Sequence, residues 1–124
     1  MIASIEKIAF TAVAAGATIA DIDVSDAFQV GVAIDIDSIA GTPTSARAVA
    51  IALNGAEVLG SATEHIRKTA DITAAGTAFL GQRGTAVGEV AFENVYSKIR
   101  VIADFTGGTA PTITGSLYIF KKRF

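Results

Sequence analysis

The two-residue periodicity that begins at Phe28 constrains the fold of this chain more than any other feature. Phe28 and every second residue after it are apolar up to Ile36, whereas the positions between them are small or polar and end in Asp35 and Asp37. Successive side chains of a β-strand point to opposite faces of the sheet. The alternation therefore predicts a half-buried strand whose second face becomes acidic at its end.

The same alternation recurs along the chain and predicts a domain built from strands. Apolar residues take every second position across residues 99–105, and Ile113, Leu117 and Ile119 share one face of residues 112–120. Residues 47–53 alternate between one bulky and one small face, and the pair Asn54-Gly55 that follows is a strong hairpin signal. The Gly- and Thr-rich residues 106–111 predict a flexible connector before the closing strand.

We count about eight strand candidates separated by glycine-rich turns. Short antiparallel strands at this spacing are typical of a β-sandwich or a small barrel, so we predict an all-β fold. Residues 1–124 are predicted as a single domain, with residues 1–13 and 121–124 as arms that bridge to neighbours. The closing strand is expected to offer an edge that another chain extends. A helix across residues 62–75 stays as an alternative, although its apolar residues form no clean helical stripe.

The low charge content points to a subunit that packs against other protein. Charged residues make up 18% of the chain and hydrophobic residues 51%, whereas about 25% charged is typical of a soluble domain. Small apolar residues, chiefly alanine, must therefore cover part of the surface. The net charge of −2 argues against nucleic-acid binding, and the absence of cysteine excludes disulfides and thiolate metal sites. We expect no membrane-spanning helix, and no signal peptide because Glu6 and Lys7 break the apolar start.

Two acidic pairs are the candidates for a divalent-cation site. Asp21 and Asp23 are separated by one residue, as are Asp35 and Asp37, and this spacing places both carboxylates of a pair on one strand face. Hard cations bind several oxygen ligands, and two carboxylates on one strand face supply part of such a ligand set. Each pair also falls near a predicted strand end, where solvated carboxylates are ordinary. We predict no bound metal or cofactor and leave both pairs as open candidates.

No arrangement of residues in the sequence predicts catalysis. His65 is the only histidine, and the polar residues beside it indicate an exposed segment rather than a general base aimed at a nucleophile. The stretch Gly81-Gln82-Arg83-Gly84 is followed by neither the lysine nor the helix of a phosphate-binding loop, so it is read as a turn. We therefore predict that the protein is not an enzyme.

Aromatic and basic residues of the last third form the candidate protein interface. The tail Lys121-Lys122-Arg123 is the only charge run, and it suits either contact with an acidic protein surface or the solvated protection of an edge strand. Aromatic anchors are enriched at protein interfaces. The full candidate set is Tyr96, Arg100, Tyr118, Phe120, Lys121, Lys122, Arg123 and Phe124.

The same region resembles capsid decoration, or cement, proteins of tailed bacteriophages. The residues that carry the resemblance are a tyrosine-led strand at 96–105 containing Arg100, the Thr-Gly-Gly-Thr-Ala-Pro connector and the Thr/Ser-rich strand at 112–119. The resemblance implies a jelly-roll-like sandwich without catalytic residues, made in the host cytoplasm and carried on the outside of the capsid. It implies binding to junctions between major capsid protein subunits as an oligomer, with a homotrimer favoured over a dimer.

Two alternatives to the cement function stay open at this point. One is another virion subunit, from the tail, a fibre or the head-completion apparatus. The other is a ligand-binding β-domain, for which the sequence identifies no convergent polar groups.

Overall fold

A computed structural model of the chain describes residues 2–52, 67–69, 71–72, 75–80, 92–94 and 97–123. These residues form strands and the turns between them, with no helix in the described ranges. The strands are β1 (Ile2–Ala14), β2 (Thr18–Asp23), β3 (Ala27–Ala40), β4 (Ser45–Ala52), β5 (Arg67–Lys68), β6 (Gly76–Phe79), β7 (Phe92–Glu93), β8 (Lys98–Thr106) and β9 (Thr112–Arg123).

The strands make two antiparallel sheets, which confirms the predicted all-β sandwich. The first sheet has the order β1-β9-β3-β6, with β7 also paired to β3, and the second has the order β2-β8-β4-β5. The first strand pairs with the last, the second with β8, β3 with β6 and β4 with β5. Each successive pair lies closer to the middle of the chain, and successive pairs belong alternately to the first and the second sheet. This is the arrangement of a jelly roll.

The closing strand β9 lies between β1 and β3, so both of its edges are paired. The expectation that β9 offers an edge to another chain is therefore wrong. β1 takes that position instead, because in the described part of the chain it pairs with β9 alone and forms the end of the first sheet.

Alternating residues of both sheets fill the space between them, as the sequence pattern predicts. Inward-facing positions of the first sheet include Ile34 and Leu117, and those of the second include Ile99 and Val101, all fully buried. Each such side chain contributes roughly 1.5–3 kcal/mol relative to leaving it exposed. On β4 the small face points inward, since Ala46, Ala48 and Ala50 are buried in the core cluster.

The connector at 106–111, predicted from the sequence to be flexible, is hydrogen-bonded to the loop between β3 and β4. The Thr109 N–H donates to the Gly41 carbonyl at 2.9 Å, and the Thr44 N–H donates to the Thr106 carbonyl at 2.9 Å. Gly108 has a φ of 75°, and a Cβ there would collide with the Gly41 carbonyl. The loop needs glycine both for its left-handed backbone and for this close approach.

Several expectations fall on residues outside the described ranges. The hairpin at Asn54-Gly55 is one of them. Of the alternative helix at 62–75, the described part contains the short strand β5, which pairs with β4.

Candidate protein interface

The outward-facing residues of the first sheet bring part of the predicted interface together. Along β9 the buried residues Ile113, Leu117 and Ile119 alternate with less buried ones, so Tyr118 and Phe120 face away from the core. We call this surface the outer face of the first sheet. The register across it places Ile5 of β1 opposite Phe120, and Phe120 opposite Gly31 of β3.

Two large apolar side chains stand out on this outer face. Ile5 is 68% exposed and Phe79 is 42% exposed, the highest values among the large hydrophobic residues described. Phe79 of β6 pairs in register with Ala33, which pairs with Tyr118. This row ends on Lys7 of β1, and Ile5 lies in the neighbouring row with Phe120. The two exposed apolar residues thus stand at opposite edges of one face, which makes this face the candidate for protein interaction.

A groove of about 480 Å³ lies on this side of the molecule, at the end where the chain begins. Ala3, Ile5, Gly31 and Phe120 contribute to its mainly apolar lining. Gly31 lies on the central strand β3 and carries no side chain, which leaves room for the depression beside Phe120. A concave apolar surface with aromatic lining is suited to receive a side chain of a partner protein.

Lysines border the apolar surface. The Lys7 ammonium lies 5.8 Å from the centre of the Tyr118 ring, within the range of a cation–π interaction. Lys122 is exposed and lies opposite Ala3 in the register with β1. Lys7 and Lys122 therefore border the apolar residues on the β1 side, whereas Asp35 lies on the same face of β3, opposite Thr77. The basic part of the border favours a partner with acidic groups there.

The other two residues of the basic tail serve a contact within the chain. The Arg123 guanidinium lies 3.1 Å from an Asp26 carboxylate oxygen. The Lys121 ammonium donates to the Asp23 carbonyl at 2.7 Å and lies 4.0 Å from the Asp26 carboxylate. These contacts join the end of β9 to the turn between β2 and β3, so Lys122 is the tail residue that the strand directs to the outer face.

Arg100 lies on the second sheet, away from the rest of the candidate set. Its guanidinium donates two hydrogen bonds to the Asp21 carboxylate, from Nε at 2.8 Å and from Nη2 at 3.1 Å. These hydrogen bonds lower the pKa of Asp21, with burial opposing them, and they raise the pKa of Arg100. The arrangement joins β8 to β2 and belongs to the scaffold rather than to the outer face of the first sheet.

The structure thus unites Tyr118, Phe120 and Lys122 and adds two residues that sequence reasoning missed. Tyr96 and Phe124 lie outside the described ranges. Ile5 carried a weak signal, because it is an apolar residue between the polar residues Ser4 and Glu6 in a segment predicted to bridge to neighbours. Phe79 carried none, since its place on the outer face depends on the pairing of β6 with β3.

The acidic pairs are engaged in contacts of their own. The Asp23 carboxylate accepts hydrogen bonds from the Ser25 hydroxyl at 2.7 Å and the Ser25 N–H at 2.9 Å, and these lower its pKa. Asp35 accepts a hydrogen bond from the Thr77 hydroxyl at 3.3 Å. The described residues contain no group of three or more acidic, histidine or cysteine side chains that would hold a metal.

His65 and residues 81–84 lie outside the part of the chain that the structure describes. Within that part, no helix has the length and apolar character needed to cross a membrane.

Comparison with known proteins identifies a similar fold. No family model matches the chain, and no curated protein sequence matches it. A solved structure of a Bacillus endospore appendage protein, from a family of disulfide-linked pili, aligns over 99% of this chain and 88% of its own, with a TM-score of 0.54 and 14% identity. The SPBc2 prophage-derived protein YomS aligns over 96% of each chain with a TM-score of 0.42 and 10% identity. The first likeness supports the sandwich fold, and neither assigns a function.

Proposed function

We propose that this chain is a structural subunit of a tailed-phage particle. It binds the outside of the assembled capsid and stabilises junctions between major capsid protein subunits. The observation that carries the proposal is the outer face of the first sheet, where exposed Ile5 adjoins Phe120 and an apolar groove bordered by lysines on the β1 side. The resemblance of residues 96–119 to capsid decoration proteins supplies the identity of the partner.

The physical properties of the chain suit such a role. A protein that stabilises a capsid binds more tightly when few of its side chains and loops become ordered on binding, because immobilising them lowers the net affinity. Here the binding groups stand on strands whose neighbours fix them, and the connector at 106–111 is held by hydrogen bonds. The low content of charged side chains also favours affinity, because few long, flexible side chains have to be immobilised on binding.

Oligomerisation and location follow from the same proposal. The subunit associates with itself, as a trimer or as a dimer, and is carried on the capsid surface after synthesis in the host cytoplasm. We propose residues 1–13 and 121–124 as its bridging segments, with Lys122 as the outward-facing residue of the second, because Lys121 and Arg123 contact the β2–β3 turn. β1 supports this role, since it is the edge of the first sheet and carries Ile5.

A second candidate is a subunit of a tail, fibre or other filament. The likeness to the endospore appendage protein favours it, because that protein belongs to pili and shares the sandwich fold. Those pili are disulfide-linked, whereas this chain has no cysteine. A filament of this protein would therefore depend on non-covalent contacts between strands and faces.

Co-sedimentation with phage heads tests the proposal. Purified protein is mixed with assembled heads that lack it, and in parallel with free major capsid protein, then pelleted at several salt concentrations. We expect saturable binding at a fixed ratio to capsid subunits, with little binding to the free capsid protein. Failure to bind any assembled head, together with formation of filaments or rings by the protein alone, would move the assignment to the second candidate.

A further inference from the structure

β1 offers the longest unpaired strand edge in the described part of the chain. It spans Ile2–Ala14, and one side of it pairs with β9 without interruption up to Phe10. A bulge follows, at which Ala12 adopts a φ of 48° and donates its N–H to the Thr114 hydroxyl at 2.9 Å. A bulge limits regular pairing. Residues 2–10 are therefore the part of the edge that another strand is able to join.

The other sheet ends are poorer templates for pairing. β2 ends the second sheet, but it has six residues and carries two exposed acidic side chains, Asp21 and Asp23. Both charges have the same sign, so two antiparallel copies of β2 would bring carboxylates close together, and like charges opposite each other are destabilising. The regular part of β1 has one acidic and one basic residue, Glu6 and Lys7, and the strongly exposed Ile5 beside them.

The sequence of this edge is complementary to itself. When two antiparallel copies are related by a two-fold axis at Ile5, Ile5 faces Ile5 of the second copy. Ser4 then lies opposite Glu6, as a hydroxyl donor facing a carboxylate. Ala3 lies opposite Lys7, whose ammonium is turned towards the Tyr118 ring of its own chain. No like charges stand directly opposite each other in this register.

Registers shifted towards the end of β1 are worse for electrostatic reasons, whereas an axis at Ser4 brings no like charges together but leaves Ile5 opposite Ala3 instead of a second Ile5. An axis at Glu6 places the two Glu6 carboxylates opposite each other, and an axis at Lys7 does the same for the two ammonium groups. Like charges directly opposite in an antiparallel pair are destabilising. The charges of β1 therefore disfavour the axes at Glu6 and Lys7, and the apolar contact between the two Ile5 side chains favours the axis at Ile5 over the one at Ser4.

We propose that two copies of this chain associate through the free edges of β1 in antiparallel register, with Ile5 facing Ile5 across the two-fold axis. The pairing joins the two first sheets into one continuous sheet. On its outer face, the row Gly31–Phe120–Ile5 of one copy continues into the same row of the second copy. A two-fold contact of this type uses the same surface on both subunits.

The dimer specifies the oligomeric state of the proposed subunit, and only its role on a capsid rests on the proposed function. Because Ala3, Ser4 and Ile5 line the groove, the pairing brings the grooves of the two copies side by side on the shared face. Because dimerisation is measured on the isolated protein, its failure leaves capsid binding untouched, and failure of capsid binding leaves the dimer standing.

Analytical ultracentrifugation of the full chain between about 5 and 500 μM tests the dimer, a range that suits a small interface of weak affinity. We expect a concentration-dependent equilibrium between monomer and dimer. Ile5→Lys places two like charges opposite each other and should weaken dimerisation by on the order of tenfold or more. Phe79→Lys makes the same kind of change on the same face but at the opposite sheet edge, and it should leave the dimer intact. Equal effects of the two variants, or a wild-type monomer throughout, would overturn the proposal.

Mixing charge variants tests the register. Ile5→Lys and Ile5→Glu are each expected to be monomeric, whereas an equimolar mixture should form a one-to-one heterodimer because position 5 faces itself. Circular dichroism of each variant confirms folding, which is expected to persist because Ile5 is largely exposed. A mixture that stays monomeric while wild type dimerises contradicts the register.

A single introduced cysteine gives an independent readout. The chain has no cysteine of its own, and residues directly opposite in an antiparallel pair have Cα atoms about 4.5–5.5 Å apart, within disulfide range. Ile5→Cys should therefore form a covalent dimer under mild oxidation, and Phe79→Cys should not. Equal cross-linking of both would mean random collision rather than strand pairing.

Discussion

Ile5 of β1 lies directly opposite Phe120 of β9, and both side chains face outward from the first sheet. Ile5 is 68% exposed. An isoleucine so exposed contributes little to folding, yet it continues the apolar surface formed by Phe120 and the groove. In our proposal, the pair therefore belongs to the binding surface, and Ile5 adds little to the stability of the fold.

Truncation of Ile5 separates binding from stability. Ile5→Ala should change the free energy of unfolding by less than about 0.5 kcal/mol, because a surface side chain loses little burial. The same change at Ile34, which is fully buried, should cost about 2–5 kcal/mol. Urea denaturation of both variants measures the contrast. A large loss at Ile5 would mean that it supports the fold rather than a partner contact.

Gly115 is required for a close approach of two strands. A Cβ at this position would collide with the Asp35 carbonyl of β3, beside the bulge in the β3–β9 pairing. We expect Gly115→Ala to destabilise the protein by about 1–3 kcal/mol, through displacement of the backbone.

Gly16→Ala is the matched control for that prediction. Gly16 has a φ of 78° with no atom near the position of a Cβ, so its substitution tests backbone strain alone. Its cost should be about 1 kcal/mol. Thermal denaturation that ranks Gly16→Ala well above Gly115→Ala in cost would contradict the steric explanation.

The ion pair of Asp21 and Arg100 predicts a dependence of stability on acid. Hydrogen bonds from Arg100 lower the pKa of Asp21 in the folded protein below the ordinary value of 3.8. A carboxylate with a lowered pKa contributes stability that is present above its unfolded pKa and is lost as the pH falls through the folded pKa. The contribution is small, because both side chains are partly exposed.

Asp21→Asn should therefore reduce stability at pH 7 and converge with wild type near pH 2. Arg100→Gln should give the same loss at pH 7, and the double variant should lose no more than either single one. Urea denaturation across this pH range, repeated in high salt to screen the pair, provides the measurement. A deficit of Asp21→Asn that is equal at both pH values would show that the ion pair is not its cause.

Local alternation allowed much of the fold to be predicted from the sequence. The buried faces of residues 30–36, 99–105 and 113–119 agree with the pattern, because a strand fixes side-chain direction residue by residue. For β4 the pattern gave two apolar faces without saying which is inside. The alanines Ala46, Ala48 and Ala50 belong to the core between the sheets, whereas Val49 lies on the other face of β4 and is buried there as well. Which face points inward depends on the space left by the first sheet.

The candidate site was less predictable because it depends on long-range pairing. Arg100 and Tyr118 are close in sequence but lie in different sheets, since the chain crosses over between β8 and β9. Lys121 and Arg123 are engaged by Asp26, a residue of the distant β2–β3 turn. No local sequence pattern predicts that Arg100 and Tyr118 lie in different sheets, or that Asp26 contacts Lys121 and Arg123. None predicts that Phe79 lies on the same face as Tyr118.

The most direct test of the central claim compares two charge reversals in binding to assembled heads. Lys122→Glu alters the basic part of the border on the outer face of the first sheet, and Lys98→Glu makes the same change at an exposed position on the second sheet. We predict that Lys122→Glu weakens co-sedimentation with heads, with an effect that shrinks in high salt, and that Lys98→Glu binds like wild type. Undiminished binding by Lys122→Glu, or an equal loss in both variants, would contradict the assignment of this face as the capsid-binding surface.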